Sequence, residues 1–232
     1  MNDLIKEKIT IDIVSDVVCP WCYVGKRRLE SALDELGNPT DVEITWHPFQ
    51  LDPTIPEEGL DRKKYFIKKF GDEGRIQQMS EHLTQVGEQV GIDFHLDEIP
   101  NAINTFPLHK LLHVAGQEGF QPEAEEMLFR AYFTDGKDLR DTSVLVELFS
   151  KYGWDSEKVT QILADEAIAY AVRQEINHYQ SIGVSGVPFF IVNNKYGISG
   201  AQPSEIFVKA LATVRDEMIQ AVQGDVCGPE GC

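Results

Sequence analysis

The chain opens on a run in which apolar and polar side chains alternate, followed by apolar side chains at helical spacing. Residues 9–14 are mostly β-branched and alternate in polarity, which predicts a strand. After residue 22 an apolar side chain recurs every three or four positions and predicts an amphipathic helix: Leu29, Ala32, Leu33 and Leu36. Residues 42–46 alternate again and predict a second strand, and the prolines at 48 and 53 mark the loop that leaves it.

A long helical region follows, from about residue 60 to about residue 182. Glycines and aspartates divide it, because Gly136 and Gly153 are placed to end helices and Asp141 and Asp155 to begin them. The charge cluster at residues 61–69 predicts a solvated helix face. This region is too long for a loop and predicts a helical subdomain.

Strand character returns at residues 187–192, with a hairpin turn at residues 193–197 and a partner strand from Ile198. A final helix is predicted over residues 203–222, with one apolar face. The predicted order is therefore β-α-β, a helical block, then β-β-α. The two ends fit one small mixed sheet flanked by helices, and a right-handed crossover allows the first two strands to be parallel.

The turn between the first predicted strand and the first predicted helix contains the candidate reactive residues, in the tetrapeptide Cys19-Pro20-Trp21-Cys22. Two thiols three positions apart at a strand-to-helix turn suit dithiol–disulfide exchange. Pro20 fits the first helical position, because the amide hydrogen that it lacks would be unpaired there. Cys19 would then cap the helix with its sulfur against the free amides, where an accessible thiolate is stabilised. We expect Cys19 to be the nucleophile and Cys22, one turn deeper, to be the resolving thiol.

Two structural interpretations compete with redox chemistry. Closely spaced cysteines also occur in zinc knuckles, but these usually continue through a glycine, whereas Tyr23 and Val24 follow here. The second interpretation is a buried pair of cysteines with a purely structural role, although Pro-Trp would be an unusual spacer in such a pair. The motif and its context favour redox chemistry.

The composition of the chain indicates which kinds of partner and which cellular compartment to expect. The chain has 232 residues and a net charge of −17, and such an acidic surface repels phosphate backbones and anionic lipid. We therefore expect neither nucleic acid nor membrane as a partner. No apolar stretch approaches the ~20 residues of a membrane span, and the charged residues 1–8 do not resemble a secretory signal. Four cysteines in a chain of this size are not a structural disulfide framework, and we expect a cytoplasmic protein.

Together, these motifs resemble a known family. Residues 16–25, 183–190, 199–203 and 128–133 are similar to the thioredoxin-fold DsbA family, and most of all to its FrnE-like cytoplasmic branch. The resemblance implies an α/β, thioredoxin-like fold with a large helical insertion between the second and third core strands. It implies a discontinuous domain of residues 1–59 and 183–223, an inserted helical domain at 60–182 and a tail at 224–232. It also implies thiol–disulfide oxidoreductase or isomerase activity on protein thiols or disulfides, without a cofactor or metal, and recycling by thioredoxin or glutathione.

The second motif places a proline opposite the dithiol. Pro188 opens a predicted strand, where a proline need not donate to the ladder. The resemblance implies a cis Val187-Pro188 bond that faces the two cysteines and presents the Val187 backbone to an extended substrate. Pro20 and Trp21 are expected to contact the same substrate. Without the cysteine motif, an ordinary trans edge proline would be the expectation.

The end of the chain holds a second cysteine pair, Cys227 and Cys232. The glycines and proline between them prevent a helix and allow the two sulfurs to meet. The pair could be a second redox centre that exchanges with Cys19 and Cys22, an exposed tail that oxidises incidentally, or a zinc-binding pair. A similar pair occurs in some FrnE-like proteins, which favours the redox role.

Two other classes of function stay open. Glutathione-dependent transferases of the kappa class and 2-hydroxychromene-2-carboxylate isomerases share the fold and the insertion, but a serine usually stands where this chain has Cys19. A non-catalytic, redox-regulated chaperone or binding module is the other class. A metal site at His109 and His113 is disfavoured, because a metalloprotease helix would need a glutamate after the first histidine, and Lys110 stands there.

Overall fold

The structure, a computed structural model, describes residues 8–39 and 41–224. The strands of this part are β1 (Ile9–Ser15), β2 (Val42–Pro48), β3 (Leu60–Asp61), β4 (Asn101–Ala102), β5 (Phe189–Val192) and β6 (Tyr196–Ser199). The α-helices are α1 (Pro20–Glu35), α2 (Arg62–Phe70), α3 (Glu73–Gln89), α4 (Phe106–Gln117), α5 (Gln121–Phe133), α6 (Thr142–Ser150), α7 (Ser156–Ala164), α8 (Glu166–Ser181) and α9 (Ser204–Gly224). A short 3-10 helix spans Leu96–Glu98.

Four strands form the main sheet, in the order β2-β1-β5-β6. β1 pairs with β2 in parallel, with Ile9 opposite Val42, and α1 makes the crossover between them. β5 runs antiparallel to β1, with Ile13 opposite Phe190, and β6 closes the edge as a hairpin. The mixed sheet with two parallel strands at one side is the one that the sequence predicts.

The core of the sheet follows from the alternation in β1. Ile9, Ile11 and Ile13 are each 1% exposed, while Thr10 and Asp12 between them keep partial access to solvent. α1 and α9 contact each other, and α9 buries one face, through Phe207, Leu211 and Val214. Burying such side chains stabilises the fold by roughly 1.5–3 kcal/mol each.

The helical insertion lies between β2 and β5, where the sequence predicts it. Five of its helices begin at an aspartate whose side chain accepts from a backbone amide of the first turn, which satisfies a donor that the helix itself leaves unpaired. Asp141 and Asp155 are N-caps as predicted. Asp61, Asp72 and Asp165 cap three further helices in the same way.

Three details differ from the sequence prediction. β3 and β4 form a two-stranded sheet inside the insertion, too short to give an alternating pattern. Asn193 and Asn194 adopt left-handed conformations, with φ of 49° and 53°, so the hairpin turns in three residues and Tyr196 already belongs to β6. β5 begins at Phe189, after the predicted start at residue 187. Among the described residues, no helix is both long enough and apolar enough to cross a membrane.

Candidate active site

The cysteine motif lies at the N-terminus of α1, on the edge of the sheet where β1 ends. Cys19 is the N-cap residue, in an extended conformation with φ −93° and ψ 105°, and Pro20 occupies the first turn. The Cys19 amide donates to the Asp16 carbonyl over 2.9 Å, and the Cys22 amide donates to the Cys19 carbonyl over 2.9 Å. These bonds fix the turn, so that both sulfurs are held at the start of the helix.

The two cysteines are free thiols that lie 3.3 Å apart. Cys22 is 1% exposed. Burial raises the pKa of the Cys22 thiol well above its ordinary value, and the neighbouring Cys19 raises it further, while the Asp16 backbone and the Ser15 hydroxyl act in the opposite direction. Cys22 is therefore held as a neutral thiol, which suits a group that reacts second.

The Cys19 sulfur differs from the prediction in two ways. It makes no capping hydrogen bond to the amides of α1, and instead Sγ donates to the Val187 carbonyl over 3.6 Å. Cys19 is also only 3% exposed, so it does not lie open on the surface as expected. The physical reason is that residues from the insertion surround this end of α1, and Cys19 opens into the cavity that they form.

Pro188 stands beside the dithiol, and the Val187–Pro188 peptide bond is cis, as predicted. Gly25, on α1, allows this close approach. A Cβ atom built on Gly25 would lie 3.0 Å from the Phe190 ring and 3.1 Å from Pro188 Cγ, which is tighter than almost all real contacts. The structure thus brings Cys19, Cys22 and Val187–Pro188 together.

A cavity of about 400 Å³ opens in front of Cys19. Its wall on the dithiol side consists of Cys19, Pro20, Trp21 and Val187, and the opposite wall comes from the insertion, mainly from α2 and α3. Most of the lining is apolar. The volume is within the range of small-molecule sites and also fits a bulky side chain of a larger substrate.

Three buried titratable side chains lie beneath the motif, and the sequence analysis did not predict this group. Asp16 Oδ2 accepts from the Leu51 amide over 2.7 Å, and Asp16 Oδ1 lies 3.5 Å from His109 Nε2. Burial opposes the charged imidazole of His109, but Asp16, Glu125 and the Phe49 carbonyl together outweigh burial and raise the pKa of His109. Burial raises the pKa of Glu125 to about 7. His109 is thus buried against Asp16, and its Nε2 also lies 2.8 Å from the Phe49 carbonyl oxygen.

A second polar cluster fixes α1 against α5. Lys26 is 7% exposed, and its Nζ donates to Glu30 over 2.5 Å and to Glu126 over 2.7 Å. The Tyr23 hydroxyl donates to Glu126 over 2.8 Å, and Arg27 also contacts this carboxylate. Glu126 lies about a hundred residues from Tyr23, Lys26 and Arg27 in the sequence, so only the fold reveals that the insertion supports the reactive helix.

The second cysteine pair, Cys227 and Cys232, lies outside the described residues. Within the described part, no group of three or more His, Cys, Asp or Glu side chains is arranged to hold a metal ion.

Comparison with known proteins identifies the family to which this fold and this site belong. Residues 10–212 match the DSBA-like thioredoxin domain family. In solved structures, the chain is similar to the probable DsbA oxidoreductase SCO1869 from Streptomyces coelicolor, with 34% identity, a TM-score of 0.83, and 90% of this chain and 91% of that one covered. It is also similar to the cytosolic disulfide reductase DsbM from Pseudomonas aeruginosa, with 15% identity, a TM-score of 0.64, and 89% and 99% covered. The uncharacterized protein YwbO from Bacillus subtilis is 28% identical over 88% of this chain and 96% of its own.

The fold and site therefore define a thioredoxin-fold protein with a dithiol at the start of its first helix. The chain belongs to the DsbA-like thioredoxin domain family. Members of this family act on thiols and disulfides, which agrees with the chemistry that the Cys19–Cys22 motif predicts.

Proposed function

We propose that this protein is a thiol–disulfide oxidoreductase and isomerase, with Cys19 as nucleophile and Cys22 as resolving thiol. One observation carries the proposal: two free thiols 3.3 Å apart at a helix N-terminus, the outer one facing a cavity and the inner one buried.

The reaction has two exchange steps. The Cys19 thiolate attacks one sulfur of a substrate disulfide, which forms a mixed disulfide and releases the other substrate sulfur as a thiolate that takes up a proton. Cys22 then loses its proton and attacks Cys19 Sγ. The second substrate thiol leaves, and two electrons have passed from the protein to the substrate, leaving a Cys19–Cys22 disulfide. The reverse sequence oxidises a dithiol. Isomerisation follows when a different thiolate of the same substrate attacks the substrate sulfur of the mixed disulfide before resolution, which forms a new substrate disulfide and releases Cys19 as a thiolate.

We assign substrate contacts to Pro20, Trp21, Val187 and Pro188. The first three line the cavity in front of Cys19, and Pro188 follows Val187 in the chain. Trp21 is 36% exposed at the cavity mouth, and the Val187 carbonyl already accepts from Cys19. We assign the protein to the FrnE-like branch and to the cytoplasm, with thioredoxin or glutathione as recycling partner. The likeness in fold to a cytosolic disulfide reductase solved with glutathione supports this assignment.

The terminal pair, Cys227 and Cys232, is proposed as a second redox centre that exchanges with Cys19 and Cys22. Its support is the sequence alone, since the glycines and the proline between Cys227 and Cys232 allow the two sulfurs to meet.

The competing classes of function predict different roles for Cys19. A glutathione-dependent isomerase of the kappa or 2-hydroxychromene-2-carboxylate type would activate an external thiol and needs no dithiol, whereas this chain keeps both thiols in contact distance. A redox-regulated chaperone would bind unfolded chains without turnover.

Insulin reduction and refolding of scrambled ribonuclease separate these classes. The unmodified protein should reduce insulin with dithiothreitol as reductant and should speed ribonuclease reactivation. Cys19→Ser should abolish both activities, because Cys22 is buried and Cys227 and Cys232 act only by exchange with the Cys19–Cys22 pair. A protein that suppresses insulin aggregation equally well with Cys19→Ser, without any reduction, would instead be a chaperone.

A further inference from the structure

Helix α9 starts at the end of the sheet that carries the dithiol. The segment between β6 and α9 is held there, because the Gly200 amide donates to the Pro188 carbonyl over 2.8 Å. The carbonyl of Val187, the residue before Pro188, accepts from Cys19 Sγ. The chain therefore enters α9 beside the reactive cysteine.

The later part of α9 lies at the opposite end of the sheet. Asn193 holds it there, because its side chain accepts from the Thr10 amide over 2.8 Å and donates to Met218 Sδ over 3.7 Å. Thr10 is at the start of β1, whereas the dithiol follows the end of that strand. A strand of seven residues is about 20 Å long, so α9 runs away from the dithiol.

The length of α9 sets the distance between its two ends. The helix spans Ser204–Gly224, which is 21 residues. An α-helix rises about 1.5 Å per residue, so Gly224 lies about 30 Å from the end of α9 that is beside the dithiol.

The terminal pair follows α9 too closely to cross this distance. Cys227 is the third residue after Gly224, and a chain extends by at most about 3.5 Å per residue, so Cys227 lies within about 10 Å of Gly224. A disulfide holds its two Cα atoms within about 7 Å, so bonding to Cys232 extends this reach only slightly. A Cys227–Cys232 disulfide therefore stops short of the dithiol in its own chain.

The entrance to Cys19 suits a narrow disulfide. Cys19 is 3% exposed and opens into the cavity of about 400 Å³, so a bulky group does not reach its sulfur. In the terminal pair, Gly228 follows Cys227 and Gly231 precedes Cys232. Because glycine has no side chain, these neighbours allow a close approach to Cys19 from outside the chain.

We propose that the terminal pair exchanges with the dithiol of a second copy of the chain. This inference rests on the proposed second redox centre and names its partner. The Cys19 thiolate of one copy attacks one sulfur of the Cys227–Cys232 disulfide in the other, which forms a mixed disulfide and releases the second terminal sulfur as a thiolate that takes up a proton. Cys22 then loses its proton and attacks Cys19 Sγ, so two electrons pass from the dithiol of one copy to the terminal pair of the other.

The test traps the mixed disulfide in Cys22→Ser protein, as a mixture of isotope-labelled and unlabelled chains. After mild oxidation and an acid quench, digestion with mass mapping identifies the linked peptides. We expect Cys19 linked to Cys227 or Cys232 in pairs that join a labelled to an unlabelled peptide. Exchange between chains is bimolecular, so about tenfold dilution should slow the linkage about tenfold.

A longer connection after α9 tests reach directly. A flexible insert of about twenty Gly and Ser residues after Gly224 spans about 25 Å on average, which brings the terminal pair within reach of Cys19 in its own chain. We expect linked peptides from single chains and a rate that no longer depends on dilution. The same insert placed after Cys232 is the matched control, because it leaves the reach unchanged, and it should keep exchange between chains.

Three results would overturn the inference: linkage within single chains of the protein without an insert, no linkage of Cys19 to the terminal pair, or no effect of the insert after Gly224. In all three, insulin reduction by Cys227→Ser/Cys232→Ser protein would leave the oxidoreductase function intact. No reduction of insulin by the unmodified protein would remove that function and this inference with it.

Discussion

At the scale of single residues, the site separates two cysteines by their surroundings. Cys19 faces the cavity and the Val187 carbonyl, whereas Cys22 is enclosed beside Ser15 and Asp16. Burial keeps Cys22 protonated, so its proton must leave before it can resolve a mixed disulfide. Asp16, His109 and Glu125 are buried titratable side chains that lie beneath this end of α1.

Glu125→Gln tests whether Glu125 is a strained buried acid. Its pKa of about 7 in the folded protein exceeds the ordinary value of about 4.5, so the folded state holds a proton that the unfolded state has lost between these pH values. The contribution of Glu125 to stability is therefore most favourable below about pH 4.5 and falls as the pH rises to 7. Removing the carboxyl should remove this fall, which is on the order of 3 kcal/mol.

Urea unfolding at pH 4.5 and pH 8 measures the effect. Glu123→Gln, at an exposed position of the same helix, is the matched control and should keep the pH dependence of the unmodified protein. An unchanged pH dependence in Glu125→Gln would show that Glu125 ionises normally.

Gly25→Ala tests the close approach of α1 to Pro188. The added Cβ would press on the Phe190 ring and on Pro188, so we expect a loss of about 1–3 kcal/mol in stability and a slower reaction of Cys19. Gly186→Ala is the control, because its Cβ meets nothing within 4 Å. Equal stability of the two variants would mean that the contact is not tight.

At the scale of secondary-structure elements, one histidine ties two strands to a helix. His47 on β2 bonds Asp12 on β1 over 2.8 Å and Glu175 on α8 over 2.6 Å. Burial opposes the charged imidazole, but the two carboxylates outweigh it and raise the pKa of His47. Hydrogen bonds with His47 and His113 overcome burial at Glu175 and lower its pKa to about 2. The insertion is thereby attached to the sheet through charged hydrogen bonds.

His47→Gln should destabilise the protein in a pH-dependent way. A raised histidine pKa stabilises the folded state fully below its ordinary value near 6.5, and the contribution disappears as the pH rises through the folded value. We expect a loss of roughly 1–3 kcal/mol at pH 6 and a smaller loss at pH 9. Thermal unfolding at both pH values measures this, and His178→Gln, exposed on α8, serves as control. A loss that is the same at both pH values would contradict the charged state of His47.

At the scale of the whole molecule, the features predicted correctly from the sequence are those that depend on local patterns of residues. The alternation of β1 and β2, the Cys-Pro-Trp-Cys turn and the aspartate caps each depend on a few neighbouring residues, and the sheet with its helical insertion follows from their order. The contact of Asp16 with His109 and that of Lys26 with Glu126 join residues about a hundred positions apart. Neither these contacts nor the cavity leaves a periodic signal, so they became visible only in the fold.

The most direct measurement of the central claim is trapping with Cys22→Ser protein. Without the resolving thiol, a mixed disulfide formed at the nucleophile persists, and digestion with mass mapping locates it. We predict one substrate adduct per chain, on Cys19, and none at that end of α1 when Cys19→Ser is added. An adduct confined to Cys227 or Cys232, or no adduct at all, would contradict the assignment of Cys19 as the nucleophile.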